Sequence, residues 1–162
     1  IKSKSAETAT TSGKSAFVDA MNLKARDLKL SETYFLNETG LDISSELSGG
    51  YGSASDVARL FYHTVISYPA VFETTGSREI SVTSLGNKTH TVKNTNEGVE
   101  GSPGIVASKT GFTNIAGGNL VIMIDAGLNH PVVITVLGST AEGRFIDAGN
   151  LAATAISAIG NN

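Results

Sequence analysis

Apolar and polar positions change rhythm several times along the chain. Residues 1–14 are small and polar, rich in Ser, Thr and Lys, and read as a loop or the frayed start of a helix. From Ser15 the rhythm becomes helical: Phe17, Met21, Ala25 and Leu28 fall on one face, with Asp19, Lys24 and Lys29 elsewhere. That spacing predicts an amphipathic helix over residues 15–29 with its stripe in the core. A short extended piece begins at Thr33, a turn follows at Gly40, and residues 44–52 form a Ser/Gly loop. Ser53-Ala54-Ser55-Asp56 then gives the S-x-x-D form of a helix start, and Val57, Leu60, Phe61 and Val65 supply the apolar face. This second helix stops before Pro69, because a residue preceding proline is biased out of the helical region.

The second half of the chain alternates with a period of two. Residues 78–83 and 88–93 flank Gly86-Asn87 and predict a small, polar β-hairpin set apart from the core. Asn94-Thr95-Asn96 and a Gly-rich passage over 98–104 lead into a strand holding Lys109. Gly117-Gly118 marks a tight turn, and Leu120 to Ile124 a second strand, so the two strands form a hairpin. The apolar runs 120–125 and 132–137, joined through Gly127 to Pro131, read as adjacent central strands. Phe145, Ala148, Leu151, Ala152, Ala155, Ile156 and Ile159 mark a C-terminal helix with a broad apolar face suited to lying across a sheet. The expected fold class is α/β in its α+β form, a single unit of antiparallel sheet with the C-terminal helix on one side and the earlier helices on the other.

Composition narrows the function. With 162 residues, 40% of them hydrophobic, the chain is one globular domain or a large part of one. A net charge of -3 without a basic patch argues against nucleic acid as a partner. Cysteine is absent, which excludes disulfides and thiolate metal sites, and His63, His90 and His130 are too scattered to suggest a metal centre. No apolar run approaches the roughly 20 residues needed to span a bilayer. The first residues lack the pattern of a signal peptide, and the chain opens without methionine, which suggests a processed or excised piece. Gly13-Lys14-Ser15 is not a phosphate loop, since Thr8 stands where that motif needs its first glycine.

The candidate chemistry lies at Lys109-Thr110-Gly111. A lysine and a hydroxyl at one end of a strand make an anion site: Lys109 brings charge and Thr110 a rotatable O–H. Gly111 leaves room for a ligand backbone to approach. Alone, such a triplet is more often an ordinary strand with a solvated lysine. K-T-G is also one of three elements, with S-x-x-K and S-D-N, of penicillin-binding proteins and class A β-lactamases.

Six segments in order carry a more specific resemblance. They are Phe17-Val18-Asp19-Ala20-Met21-Asn22 with Lys24-Ala25; Phe35-Leu36-Asn37 with Gly40-Leu41-Asp42; Ser53-Ala54-Ser55-Asp56-Val57-Ala58; Asn94-Thr95-Asn96; Lys109-Thr110-Gly111 with Thr113-Asn114; and Gly118-Asn119-Leu120. Together they resemble the C-terminal part of the low-molecular-weight penicillin-binding proteins, the serine D-alanyl-D-alanine carboxypeptidases. The resemblance implies a partial β-lactamase/transpeptidase-like fold and cleavage of the terminal D-alanine of peptidoglycan stem peptides through an acyl-enzyme that β-lactams also form. It implies no cofactor, and a location outside the cytoplasmic membrane. By the same resemblance Lys109 and Thr110 hold the substrate's C-terminal carboxylate, and the Phe112 backbone N–H is an oxyanion-hole donor. Arg144 resembles an arginine that helps bind that carboxylate, the plainer reading being a solvated arginine at a helix start. A β-lactamase is the poorer match, because the hairpin over 78–93 and Asn94-Thr95-Asn96 look more like the carboxypeptidases.

The departures matter as much. No serine here is followed three places later by lysine, so the nucleophile and base of the family's S-x-x-K are absent from the chain. Where S-x-N is expected stands Ser3-Lys4-Ser5, a remnant with serine in place of asparagine. Two functions follow as expectations: the C-terminal part of an active carboxypeptidase whose N-terminal segment lies elsewhere, even on a separate chain, or a catalytically inactive relative that binds peptidoglycan peptides or a partner protein.

Overall fold

The computed structural model describes residues 2–98, 104–127 and 130–160, with residues 2–12 described by backbone alone. Helix α1 spans Lys2–Asp27, so the polar lead-in is the first part of a longer helix. Its alanines, lysines and glutamate are good helix formers and outweigh the weaker serines and threonines and Gly13. The predicted stripe is only partly core: Ala25 is buried while Phe17 is 58% exposed. Phe17, Met21, Leu30 and Leu60 instead border an apolar groove of about 360 Å³. Asn22, the polar residue inside that stripe, is buried and clamps the next strand. Its side-chain amide donates to the Phe35 carbonyl and accepts from the Phe35 N–H, both at 2.8 Å.

The end of α1 is a Schellman motif. The Leu30 N–H bonds the Ala25 carbonyl and the Lys29 N–H the Arg26 carbonyl, both at 2.9 Å, and Leu30 and Ala25 are both buried. The motif puts Lys29 at φ 57°, a left-handed conformation that a Cβ disfavours by about 1 kcal/mol. Lys29→Gly is therefore expected to raise stability by about 0.5–1 kcal/mol, read as a melting temperature about 2 °C higher for a chain of this size.

Strand β1 (Tyr34–Phe35) pairs antiparallel with β2 (Gly50–Tyr51) around a loop organised by Asn37, whose side-chain Oδ1 accepts from the Thr39 and Gly40 N–H groups. Lys14 pairs with Glu38 at 3.0 Å, tying α1 to this loop. A backbone hydrogen bond and then the Lys14 ammonium hold the Glu38 carboxyl below the usual carboxylate range. The tie is therefore present above the ordinary carboxylate pKa and is lost as pH falls through the lowered one. Helix α2 (Ala54–Ser67) starts at an N-cap where Ser53 accepts from the Asp56 N–H at 3.2 Å, and ends at Tyr68 before Pro69. The buried Asp56 carboxylate accepts from the Glu32 N–H and the Thr33 hydroxyl, which fixes the entry to β1. Pro69 then opens a short helix α3 (Pro69–Phe72) and a 3₁₀ turn (Glu73–Gly76) that the sequence pattern did not announce.

Strands β3 (Glu79–Thr83) and β4 (Thr89–Lys93) form the expected separate hairpin. The main sheet has the order β5-β6-β7, all antiparallel, with β5 at Ile105–Thr113, β6 at Gly117–Asp125 and β7 at Pro131–Ser139. Among the described residues β7 is therefore an edge strand and only β6 is central, which corrects the expectation of two central strands. The run 120–124 is apolar at every position because β6 is covered on both faces. Leu120, Ile122 and Ile124 pack with Ala148 and Ala152 of helix α4 (Gly143–Gly160). Val121 and Met123 pack with Phe61 and Val65 of α2 and Ala107 of β5. The helix–sheet–helix layering matches expectation, although Ile146, Leu151 and Ile156 of α4 remain exposed.

Candidate active site

Strand β5 is the edge on which the candidate residues sit. Lys109 lies opposite Val121 and Thr110 opposite Leu120. Successive side chains alternate, so Lys109 projects on the α2 face and Thr110 on the α4 face. A ligand at the edge meets both. The first part of this edge is already taken. The Ser108 N–H bonds the Thr75 hydroxyl at 3.1 Å and the Ser108 hydroxyl bonds the Thr75 carbonyl at 2.8 Å, so the 3₁₀ turn covers the edge up to Ser108. Because N–H groups alternate between partner and open side along an edge strand, those of Thr110 and Phe112 face the same way as that of Ser108. The Lys109 ammonium bonds the Thr110 carbonyl, which keeps its charge at the edge.

Three other segments converge here. Asn94 is the bracket of the first: its Nδ2 donates to the Thr75 and Ser77 carbonyls at 2.8 and 3.0 Å, and its N–H to the Arg78 carbonyl at 2.7 Å. This places Thr95 against β5, with the Thr95 and Thr110 hydroxyl oxygens 2.7 Å apart. Arg144, in the first turn of α4, is the second: one guanidinium nitrogen donates to the Gly111 carbonyl at 2.7 Å while the guanidinium stacks on Phe145 at 4.7 Å. Its Nε is buried and has no hydrogen-bond partner among the described residues. The third is the β5–β6 turn, closed by Asn119, whose amide bonds the Gly117 carbonyl and accepts from the Gly138 N–H, and held by Asp42, which accepts from the Ile115 N–H.

A cavity of about 220 Å³ opens beside the edge, between β5 and the β3–β4 hairpin. Ile80 and Val92 form its apolar wall, and Lys93, Lys109 and several hydroxyls its polar one, with no carboxylate among the lining residues. Glu79 stands opposite Lys93 on the hairpin, so Lys109 is the ammonium that makes this edge a region for an anion. Among the described residues no cluster of His, Asp and Glu can hold a metal ion.

The structure thus brings Lys109, Thr110, Gly111, Phe112 and Arg144 to one place. Ser3 and Ser5 fall in α1, and their side chains lie outside the described residues. Thr95 and Asn119 are contacts that periodicity did not single out, and their only sequence signal was membership of the short segments Asn94-Thr95-Asn96 and Gly118-Asn119-Leu120.

Comparison with known proteins bears on family and fold. The peptidase S11 family, described as D-alanyl-D-alanine carboxypeptidase, matches residues 6–141. The chain is 33% identical to a D-alanyl-D-alanine endopeptidase of Escherichia coli strain K12, over 86% of the chain and 44% of that protein. It is 31% identical to the D-alanyl-D-alanine carboxypeptidase DacF of Bacillus subtilis strain 168, over 79% of the chain and 32% of that protein. Penicillin-binding protein D2 of Listeria monocytogenes, solved in a cefotaxime-bound form, superposes with a TM-score of 0.70 at 29% identity, over 83% of the chain and 53% of that structure. The chain therefore spans about half the length of that structure, and less than half of the two curated relatives.

Proposed function

The chain belongs to the D-alanyl-D-alanine carboxypeptidase family, and from that premise we propose that it supplies the carboxylate-binding half of a serine-type D-Ala-D-Ala carboxypeptidase. The substrate is a peptidoglycan stem peptide ending in D-Ala-D-Ala, lying outside the cytoplasmic membrane. The observation that carries this reading is the convergence of Lys109, Thr110 and the Arg144 guanidinium on one open strand edge. The extended peptide adds to the edge of β5 beyond Ser108, exchanging main-chain hydrogen bonds as in strand addition. Its terminal carboxylate is met by the Thr110 hydroxyl on one face, with Lys109 and Arg144 supplying positive charge. The Phe112 N–H points to the side on which the scissile carbonyl lies and serves as an oxyanion donor. A β-lactam carries a carboxylate and a strained carbonyl in a similar relation and uses the same groups. The attacking serine and its base come from a segment that this chain does not contain, since it has no S-x-x-K. That segment belongs to the same polypeptide or to a separate chain. The missing motif also favours a second reading, an inactive relative that binds the same peptides or a partner protein.

Titration of the chain with N-acyl-D-alanyl-D-alanine, followed by amide shifts in NMR, tests the binding claim. Shifts at residues 108–112 and 95 that the C-terminal carboxamide analogue does not produce are expected. Equal response to both probes would remove the carboxylate site. Gly111→Ala adds a second check. A Cβ there meets only the Asn119 Cβ at 3.8 Å, so the fold tolerates it. Stability should stay within about 0.5 kcal/mol, while the added methyl at the ligand edge weakens peptide binding by about tenfold.

A further inference from the structure

We propose that Thr95 is a positioning residue for carboxylate recognition, its hydroxyl donating to Thr110 Oγ1 so that the Thr110 proton is left to the ligand. The inference rests on the carboxylate-binding reading and specifies how it works. Two hydroxyl oxygens 2.7 Å apart share one hydrogen bond, and either can be its donor. The two arrangements are not equivalent for an anion. If Thr110 donates to Thr95, its only proton is spent and it offers lone pairs to a carboxylate, which can only accept. If Thr95 donates, Thr110 still has its proton, and the chain Thr95 O–H to Thr110 O–H to carboxylate runs in one direction. Each bond in such a chain polarises the next.

The position of Thr95 is built rather than incidental. Asn94 is held by three hydrogen bonds to Thr75, Ser77 and Arg78, and the Asn96 N–H closes onto the Asn94 side-chain oxygen at 2.9 Å. Asn96 itself is buried and accepts from the Gly98 N–H. The residue between these two asparagines is exposed and aimed at Thr110, so its side chain does little for the fold and its hydroxyl is free to act on the edge. A carboxamide ligand gives a different balance: it can donate to Thr110, and then Thr110 can donate back to Thr95. The Thr95 hydroxyl should therefore matter for a carboxylate more than for an amide.

The test is a binding titration of the chain and of its Thr95→Val and Thr95→Ser variants with N-acyl-D-alanyl-D-alanine and with its C-terminal carboxamide. Thr95→Val is expected to weaken carboxylate binding roughly five-fold, the size of one hydrogen bond, and to change carboxamide binding by less than two-fold. Thr95→Ser, which keeps the donor, should restore the carboxylate affinity. If Thr95→Val leaves carboxylate binding unchanged or tighter, or weakens both probes equally, Thr95 has no such role. If the unaltered chain itself fails to prefer the carboxylate, the reading of the whole site falls and the role of Thr95 with it.

Discussion

Lys109→Ala is expected to weaken binding of a D-Ala-D-Ala peptide by ten- to a hundred-fold while leaving the protein folded. Lys109 is exposed, its ammonium contacts only the neighbouring Thr110 carbonyl among the bonds described, and its backbone stays in the ladder with Val121. Stability should move by no more than about 0.5 kcal/mol. A hydrogen bond to a charged group contributes about 1.5–3 kcal/mol, which matches a loss of this size, and Lys93 is the other cation lining the cleft. Parallel melting curves and peptide titrations separate the two effects. A variant that binds the peptide as well as the parent would mean that Lys109 is a solvated strand lysine after all.

Gly118→Ala is expected to damage the fold itself. An added Cβ would sit 2.0 Å from the Thr140 carbonyl oxygen and 2.6 Å from its carbon, both backbone atoms that cannot swing away. Overpacking of this kind costs about 3 kcal/mol or more, or a fall of about 10 °C in melting temperature for a chain of this length. The clash also reaches the site. Residue 140 leads into α4, where the Thr140 carbonyl accepts from the Arg144 N–H, so pushing that segment away moves the guanidinium off Gly111. Peptide affinity should fall in those molecules that remain folded. A melting temperature within 2 °C of the parent would contradict the close approach.

Much of this arrangement was legible in the residues, and the reasons differ by element. The β5–β6 hairpin follows from Gly117-Gly118 between two apolar strands, and the α2 boundaries follow from the Ser53 cap and from Pro69. These are local rules, and local rules survive folding. The resemblance set Lys109, Thr110 and Phe112 on one strand, and the register with β6 gives them their faces. Arg144 was less certain from sequence, since spacing after the last strand does not fix a rotamer. Its contact with Gly111 depends on the packing of α4 across a sequence separation of 33 positions. The helical stripe of α1 predicts core that the fold only partly supplies, because periodicity reports amphipathicity and not what covers the face, and Phe17 remains largely in solvent. Strand centrality is not legible for a related reason: β7 has an apolar, β-branched sequence, yet no described strand lies on its outer side. The Thr95–Thr110 contact was hidden because it joins two loop-and-strand positions through hydroxyls, which leave no period in the sequence.

The most direct test of the central claim is the intact mass of the chain before and after exposure to a penicillin, alongside a version extended upstream to include an S-x-x-K segment. A carboxylate-binding half without its nucleophile predicts no covalent adduct on this chain and one acyl adduct on the extended protein. An adduct on this chain mapped to Ser3 or Ser5 would contradict the division of the site, and the absence of an adduct from both would favour the inactive binding relative.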